Sequence, residues 1–326
     1  MVKFIAAAVA VFLLFAGLAG AASAQTAGNT DINTLKLPDI WAFAAPKGVK
    51  PLATGGSRIV LTARLAEDSP VLKAGLVWRV FGEVPGPDGK LPLLATAQGG
   101  STEFDLPQGT YLIHAAFGRA GATKRITAGI DGHEENLVLD AGGIKLNAVL
   151  TGGKKIPPAD LRFSVYDGRE DENGNRALII PDVPANSIVR LNAGTYHVVS
   201  NYGDVNASIR ADIVVEAGKL TEAVMEHAAS RVTLKLVRVA GGEALADTSW
   251  AVLTGSGDIV REQVGAYSTM VLAEGAYTVI AKNRDQLYQR DFVVVSGEDQ
   301  DVEVVTSALS ATPVAPARDD AAATVE

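Results

Sequence analysis

Hydrophobic and polar positions alternate along most of this chain in short runs, and the runs recur at a long period. Ile144-Lys145-Leu146 and Val232-Thr233-Leu234 set apolar side chains two residues apart, the spacing of a half-buried β-strand. Ile59-Val60-Leu61 stands at the matching place earlier in the chain but is apolar throughout. A second strand follows each time: Ala74 to Val80, Ala159 to Val165 and Ala246 to Val252. In each of these an aromatic residue (Trp78, Phe163 or Trp250) comes four residues after the alanine, and a valine two after that. Alanine, aromatic and valine therefore share one face of a strand and point into a core. Turn residues come next: Pro87-Asp88-Gly89, Asn173-Gly174 and Gly257-Asp258.

The sharpest repeat is Leu-x-x-Gly-x-Tyr. It occurs at Leu106 to Tyr111, Leu191 to Tyr196 and Leu272 to Tyr277, with the tyrosines 85 and then 81 residues apart. That spacing is one small β-domain. Two further apolar strands close each copy, around Ile126, Ile213 and Phe292 and then around Leu137, Val224 and Val302. About seven strands per copy, with turns every 8–12 residues, is the expectation for an immunoglobulin-like sandwich. The fold class is therefore all-β: three tandem seven-stranded immunoglobulin-like β-sandwiches after a signal peptide. No stretch after the leader keeps a helical period, so helix content should be small.

The expected boundaries are 1–24 signal peptide, 25–56 N-terminal segment, 57–140, 141–229 and 230–308 for the three sandwiches, and 309–326 for a disordered tail rich in Ala, Pro, Thr and Asp. The linkers, Ala141-Gly142-Gly143 and Ala228-Ala229-Ser230, are short enough to imply a stiff rod. In such sandwiches a tyrosine at the sheet corner buries its ring and bonds its hydroxyl to backbone just upstream. Tyr111, Tyr196 and Tyr277 are the expected tyrosine corners.

On the Leu-x-x-Gly-x-Tyr and Ala-x-x-x-(Trp/Phe)-x-Val segments, residues 57–308 resemble the immunoglobulin-like and carboxypeptidase-regulatory-like sandwich modules of bacterial envelope proteins. The whole chain is also similar to exported proteins of alphaproteobacteria. The resemblance implies a fold used for spacers, docking units and enzyme appendages, and no particular chemistry.

Composition changes the picture in three ways. Lys3, an apolar run from Phe4 to Leu18 and Ala22-Ser23-Ala24 form a secretory signal peptide cleaved before Gln25. The run falls short of the roughly 20 residues of a spanning helix, so no membrane span is expected after cleavage and the address is periplasmic or secreted. There is no cysteine, which removes disulfides, thiolate chemistry and cysteine-based zinc sites. The formal charge is −8, and cleavage removes Lys3, so the mature chain is more acidic still. An acidic chain without a basic stripe argues against nucleic-acid binding.

Candidate chemistry is sparse. Asp167 to Asn175 is an acidic loop in which Asp171, Asn173 and Asn175 have calcium-loop spacing. Arg176 stands where that loop needs glycine and Asp182 where it needs glutamate, so a solvated hairpin turn is the favoured reading. His114, His133, His197 and His227 show no metal-ligand spacing and read as surface or strand histidines. Phosphate loops, dinucleotide fingerprints and a Gly-x-Ser-x-Gly elbow are absent from the sequence. No catalytic residue, cofactor or metal is assigned. Trp41, outside the repeats, is a possible binding surface; the other reading is that it pins the N-terminal segment to the first module. The function expected is an exported non-enzymatic interaction or scaffold protein of the cell envelope, with envelope proteins as partners. The alternative is a carbohydrate or peptidoglycan-binding protein, and a hydrolase built on an unidentified carboxylate pair comes third.

Overall fold

The structure is a computed structural model and describes residues 56–306. The expected signal peptide, Trp41 and the 309–326 tail lie outside the described residues.

The first module comprises β1 (Ser57–Arg64), β2 (Leu76–Gly82), β3 (Leu93–Gly99), β4 (Thr102–Leu106), β5 (Gly109–Phe117), β6 (Ala120–Ala128) and β7 (His133–Val138). The second comprises β8 (Ala141–Leu150), β9 (Leu161–Glu170), β10 (Arg176–Pro184), β11 (Ile188–Asn192), β12 (Gly194–Tyr202), β13 (Ser208–Val215) and β14 (Leu220–His227). The third comprises β15 (Ala229–Val237), β16 (Thr248–Thr254), β17 (Ile259–Val264), β18 (Tyr267–Ala273), β19 (Gly275–Asn283), β20 (Gln286–Val294) and β21 (Gln300–Val305). Each module pairs a three-stranded sheet with a four-stranded one, in the orders β4-β1-β7 and β3-β2-β5-β6 and their equivalents. The first and last strands of each module run parallel, and the other pairs are antiparallel. The all-β class and the three tandem seven-stranded sandwiches read from the sequence are observed. A single 3-10 turn, Pro158–Asp160, is the one helical element among the described residues.

The alternation in the sequence explains the packing. Trp78, Phe163 and Trp250 are 0%, 0% and 2% exposed and sit at the centre of three separate cores. The two indole N–H groups donate to the carbonyls of Gly100 and Gly265, both at 2.8 Å, so neither ring buries an unsatisfied donor. The first module departs from simple alternation because its four-stranded sheet is covered on both faces. Phe81 and Leu112 are fully buried on the outer side, with Leu91 and Leu93 packed against them. Arg79 and His114, paired across β2 and β5 on that face, are buried as well.

Residues expected as linkers lie inside strands. Ala141 to Gly143 belong to β8 and Ala229-Ser230 to β15, leaving Leu139-Asp140 and Ala228 between modules. Alternation continues straight through these junctions. Leu139 and Ala141 pack in the core of the first module, and Ala229 packs in that of the second.

Candidate functional site

Strand registers superpose the three copies residue by residue. Leu106, Leu191 and Leu272 lie opposite Ser57, Gly142 and Ser230 on the first strand of each module. The tyrosines that follow donate their hydroxyls to carbonyls four residues upstream. Tyr111 bonds Pro107 at 2.8 Å, Tyr196 bonds Asn192 at 2.9 Å and Tyr277 bonds Ala273 at 2.9 Å. Tyr111 and Tyr277 are buried, and Tyr277 stacks on Phe292 with centroids 5.7 Å apart. Tyr196 is only half-buried, because it borders an open cleft of about 550 Å³ lined also by Asp167, Arg169, Ile179 and Asn192. The amide and side chain of Arg169 hold the Asp167 carboxyl below its usual range, while burial and then Asp167 push the Tyr196 phenol up. The cleft brings a cation, a carboxylate and a phenol together without a base aimed at a nucleophile.

The corners of the second and third modules matter for a further reason: Tyr196 and Tyr277 each stand at the end that faces the preceding module. A corner and the hairpin after its strand lie at opposite ends of a nine-residue strand, about 30 Å apart. Each module is thus entered at its corner end and left at its hairpin end. The hairpin of one module docks on the corner of the next.

At the first joint, Gly118 in the β5–β6 hairpin has φ 68° and lies against β11; a Cβ there would come within 2.9 Å of the Arg190 Cβ. The Arg190 guanidinium caps the Phe117 ring at 4.5 Å from its centroid. Asn192 accepts from the Gly121 amide at 3.2 Å and donates to the carbonyls of Gly121 and Leu139 at 3.1 and 2.8 Å.

The second joint repeats the geometry. Gly203 in the β12–β13 hairpin has φ 72°, and a Cβ there would come within 2.9 Å of the Val271 Cβ. Val271 and Arg190 are equivalent, each just before the repeat leucine. Val271 packs in the core of the second module, and Val205 from the hairpin packs against that of the third. Asn206 accepts from the Ala273 amide at 3.0 Å and donates to the Tyr277 hydroxyl at 2.8 Å. Ion pairs Arg231–Asp160 at 2.7 Å and Arg261–Asp204 at 2.9 Å flank the contact. The linker carbonyls are held alike in both joints: the Ala193 amide donates to Asp140 at 2.7 Å and the Glu274 amide to Ala228 at 2.9 Å.

His227 sits at the second joint. It is 1% exposed, its Nε2 is 2.8 Å from the Ser200 hydroxyl, and its ring meets Tyr202 edge-on with centroids 6.0 Å apart. Burial lowers its pKa to about 4. His114 in the first module is also lowered to about 4, by burial and then by Arg79. His197 lies 2.7 Å from Asp212, and His133 lies 3.3 Å from Glu135. All four histidines stand on strands, and two are interior rather than at the surface.

The acidic loop closes the β9–β10 hairpin. Asp171 accepts from the amides of Asn173 at 2.9 Å and Asn175 at 2.8 Å, and these bonds hold its carboxyl below the usual range. That oxygen is committed to the turn. No group of three or more potential metal-ligating side chains occurs among the described residues.

Sequence reasoning missed the joints. The signal was present as an aromatic-glycine pair six residues after the first two tyrosines, Phe117-Gly118 and Tyr202-Gly203, replaced by Asn283-Arg284 in the third copy.

Residues 231–306 match the Rhizobiales growth-associated tandem repeat domain. No curated protein matches the chain. Among solved structures it is similar to the minor pilin GBS52 of Streptococcus agalactiae, at 13% identity over 53% of this chain and 95% of that one, with a TM-score of 0.32. It is similar to BcpA, the major pilin subunit of Bacillus cereus, at 11% identity over 77% and 99% of the two chains, with a TM-score of 0.19. Similarity to the Bacillus anthracis TIE protein is 16% over 76% of this chain, TM-score 0.23, and the chain spans half the length of that protein. Resemblances at this level carry no argument about activity or assembly.

Proposed function

We propose that this chain is an exported, non-enzymatic scaffold of the cell envelope, which holds partner proteins at fixed spacing along three jointed sandwiches. The observation that carries the reading is the repeated joint. Two different sets of side chains maintain one docking geometry, as a spacer requires and a pair of independent domains does not. Short linkers with buried side chains and backbone bonds across each junction restrict hinge motion.

Surface for partners is available at sheet edges. β13 pairs only with β12, and β14 only with β8. Val214, Leu220 and Val224 on these strands are 56%, 47% and 63% exposed. Although the Val214 carbonyl accepts from the Thr221 hydroxyl at 3.2 Å, edge backbone beside exposed valine is the kind of surface that takes an added strand or a flat apolar partner. The domain matched by the third module is described as growth-associated, which supports a role connected with growth. No helix among the described residues is long and apolar enough to cross a membrane. The burial of Trp78 and Trp250 leaves the glycan-binding alternative without those two platforms.

The test uses the full chain in cells, with a photo-crosslinking residue at Val214 or Val224 and a control at exposed Ser249, which lies on the central strand β16. Discrete adducts with envelope proteins from the edge positions are expected, in the exported fraction. Retention in the cytoplasm, or equal labelling from all three positions, would overturn the reading. Co-sedimentation with purified cell wall in the absence of protein adducts would select the glycan alternative.

A further inference from the structure

The third module presents the hairpin end of a joint with no module docked on it among the described residues. Asn283 occupies the position of Phe117 and Tyr202, as the pairings Leu76–Phe117, Leu161–Tyr202 and Thr248–Asn283 establish. Arg284 occupies the position of Gly118 and Gly203 and keeps their left-handed backbone, with φ 55°. Asp247 occupies the position of Asp160, the residue that receives Arg231 across the second joint. Where the other modules meet a neighbour, the third has an open cleft of about 540 Å³, lined by Arg238, Asp247, Asn283, Arg284 and Tyr288. Arg238, Asp247 and Arg284 are exposed and enter no ion pair among the described residues.

The first module presents the opposite half. Its corner end has no hairpin docked among the described residues, and the same registers identify the receiving positions. Arg58 is equivalent to Arg231, and Asp105 to Arg190 and Val271. Both Arg58 and Asp105 are exposed. Placing the end of module three on the start of module one with the internal joint geometry therefore sets Asp247 against Arg58 and Arg284 against Asp105. Both pairs are attractive, and the first repeats the observed Asp160–Arg231 pair. Arg58 now pairs with Glu103, an exposed contact of small net value that it can exchange.

We infer that the open end of the third module docks on the entry end of the first module of a second copy of this chain, head to tail, through Asp247–Arg58 and Arg284–Asp105. The contact differs in kind from the internal joints. Glycine allows those to close until a Cβ would stand 2.9 Å from its neighbour. Arg284 and Asp105 both carry a Cβ, so the two copies stand about 1 Å farther apart to reach van der Waals separation. Asn283, bonded to the Ala246 carbonyl at 2.7 Å and the Thr248 hydroxyl at 3.2 Å, replaces the buried ring. The association is thus ionic, reversible and sensitive to salt. A contact between unlike ends propagates in one direction instead of closing a symmetric dimer. The inference does not depend on the envelope role.

The test is sedimentation velocity on the full exported chain over a concentration series. At low salt the weight-average mass should rise with concentration, and the rise should vanish at about 0.5 M salt. Arg284→Glu should weaken the association about tenfold or more, and so should Asp105→Arg, with unfolding midpoints unchanged because both sites are exposed. Mixing the two variants restores an Arg284–Asp105 pair and creates a Glu–Arg pair, so association should return in the mixture. A chain that stays monomeric at every concentration and low salt would overturn the inference. So would association that persists undiminished in Arg284→Glu, or that fails to return on mixing.

Discussion

The two joints solve one geometric problem with different chemistry. At the first, an exposed arginine lies over Phe117 and the acceptor strand supplies the asparagine, Asn192. At the second, buried Val271 enters the preceding core and the hairpin supplies the asparagine, Asn206. The constants are the glycine at the hairpin tip, the short linker whose carbonyl is bonded by the amide two residues after the repeat leucine, and the small alanine that follows the junction into the earlier core. Backbone approach fixes the geometry. Side chains serve to satisfy whatever groups that approach buries, and they are interchangeable as long as each buried donor and acceptor finds a partner.

The largest effect should come from the constants. Gly203→Val combines a left-handed φ of 72° with a Cβ 2.9 Å from that of Val271, a residue held inside a core. The expected loss is about 2–4 kcal/mol, read by denaturant unfolding of the full chain. Gly118→Val meets exposed Arg190, whose stem can swing toward solvent, so its loss should be smaller. Equal losses at the two joints would break the comparison, because they would mean that burial of the neighbour makes no difference.

Acid should separate the joints next. His227 at the second joint has a folded pKa of about 4 against an ordinary 6.5, so the unfolded chain binds the proton more readily. Its contribution is fully present above pH 6.5 and is lost as pH falls toward 4. At about 1.4 kcal/mol per pH unit the whole effect reaches about 3 kcal/mol. At the first joint Leu139 occupies the position of His227, and the buried His114 lies within the first module beside Gly121 instead of on the junction strand. His227→Gln should flatten the fall in unfolding midpoint between pH 6.5 and 4 for the second and third modules. His114 should still impose a fall of the same sign on the first. A pH profile unaltered by His227→Gln would place the acid sensitivity elsewhere.

The contrast also marks what was legible in the sequence. Period-two alternation and the aromatic on the second strand identified a core in each copy, because burial on one face of a strand leaves a period in the sequence. Five of the seven strands in each copy could be named in this way. The strands equivalent to β3 and β4 could not, since β3, β10 and β17 are edge strands with little buried surface and no apolar period to leave. The outer face of the first module was invisible for the opposite reason: Phe81 and Leu112 are buried behind the inward-facing residues, so apolar side chains stand on both faces of β2 and β5 and blur the period. The joints depend on which loop meets which corner, a long-range fact. Their local trace, aromatic then glycine, occurs in only two of three copies and so did not register as part of the repeat.

A smaller effect belongs to the asparagines. Asn206→Ala strands the Ala273 amide and removes the donor to Tyr277, and Asn192→Ala strands the Gly121 amide and the Leu139 carbonyl. Each should cost about 1–3 kcal/mol. Because the two sites lie in separate joints, the double variant should lose the sum to within about 0.5 kcal/mol. Strong non-additivity would mean that the joints are coupled through the second module and act as one unit.

The smallest effect should come from the most conspicuous contact of the second joint. Arg231 and Asp160 meet at 2.7 Å, but their side chains remain 42% and 31% exposed. Water solvates both ions when the pair is broken, so Arg231→Met should cost at most about 1 kcal/mol. The methionine keeps the aliphatic stem against the junction and removes only the charge. Salt should reduce even this difference, since a pair open to solvent is screened within about 8 Å at physiological ionic strength. The first joint, with Gly143 at the position of Arg231, has no equivalent pair and still closes. Comparing Arg231→Met with the parent chain at low and high salt therefore tests whether charge or backbone fit holds the modules together. A loss above about 2 kcal/mol that persists in high salt would show the ion pair to be integral to the second joint, and the two joints would then differ in mechanism as well as in side chains.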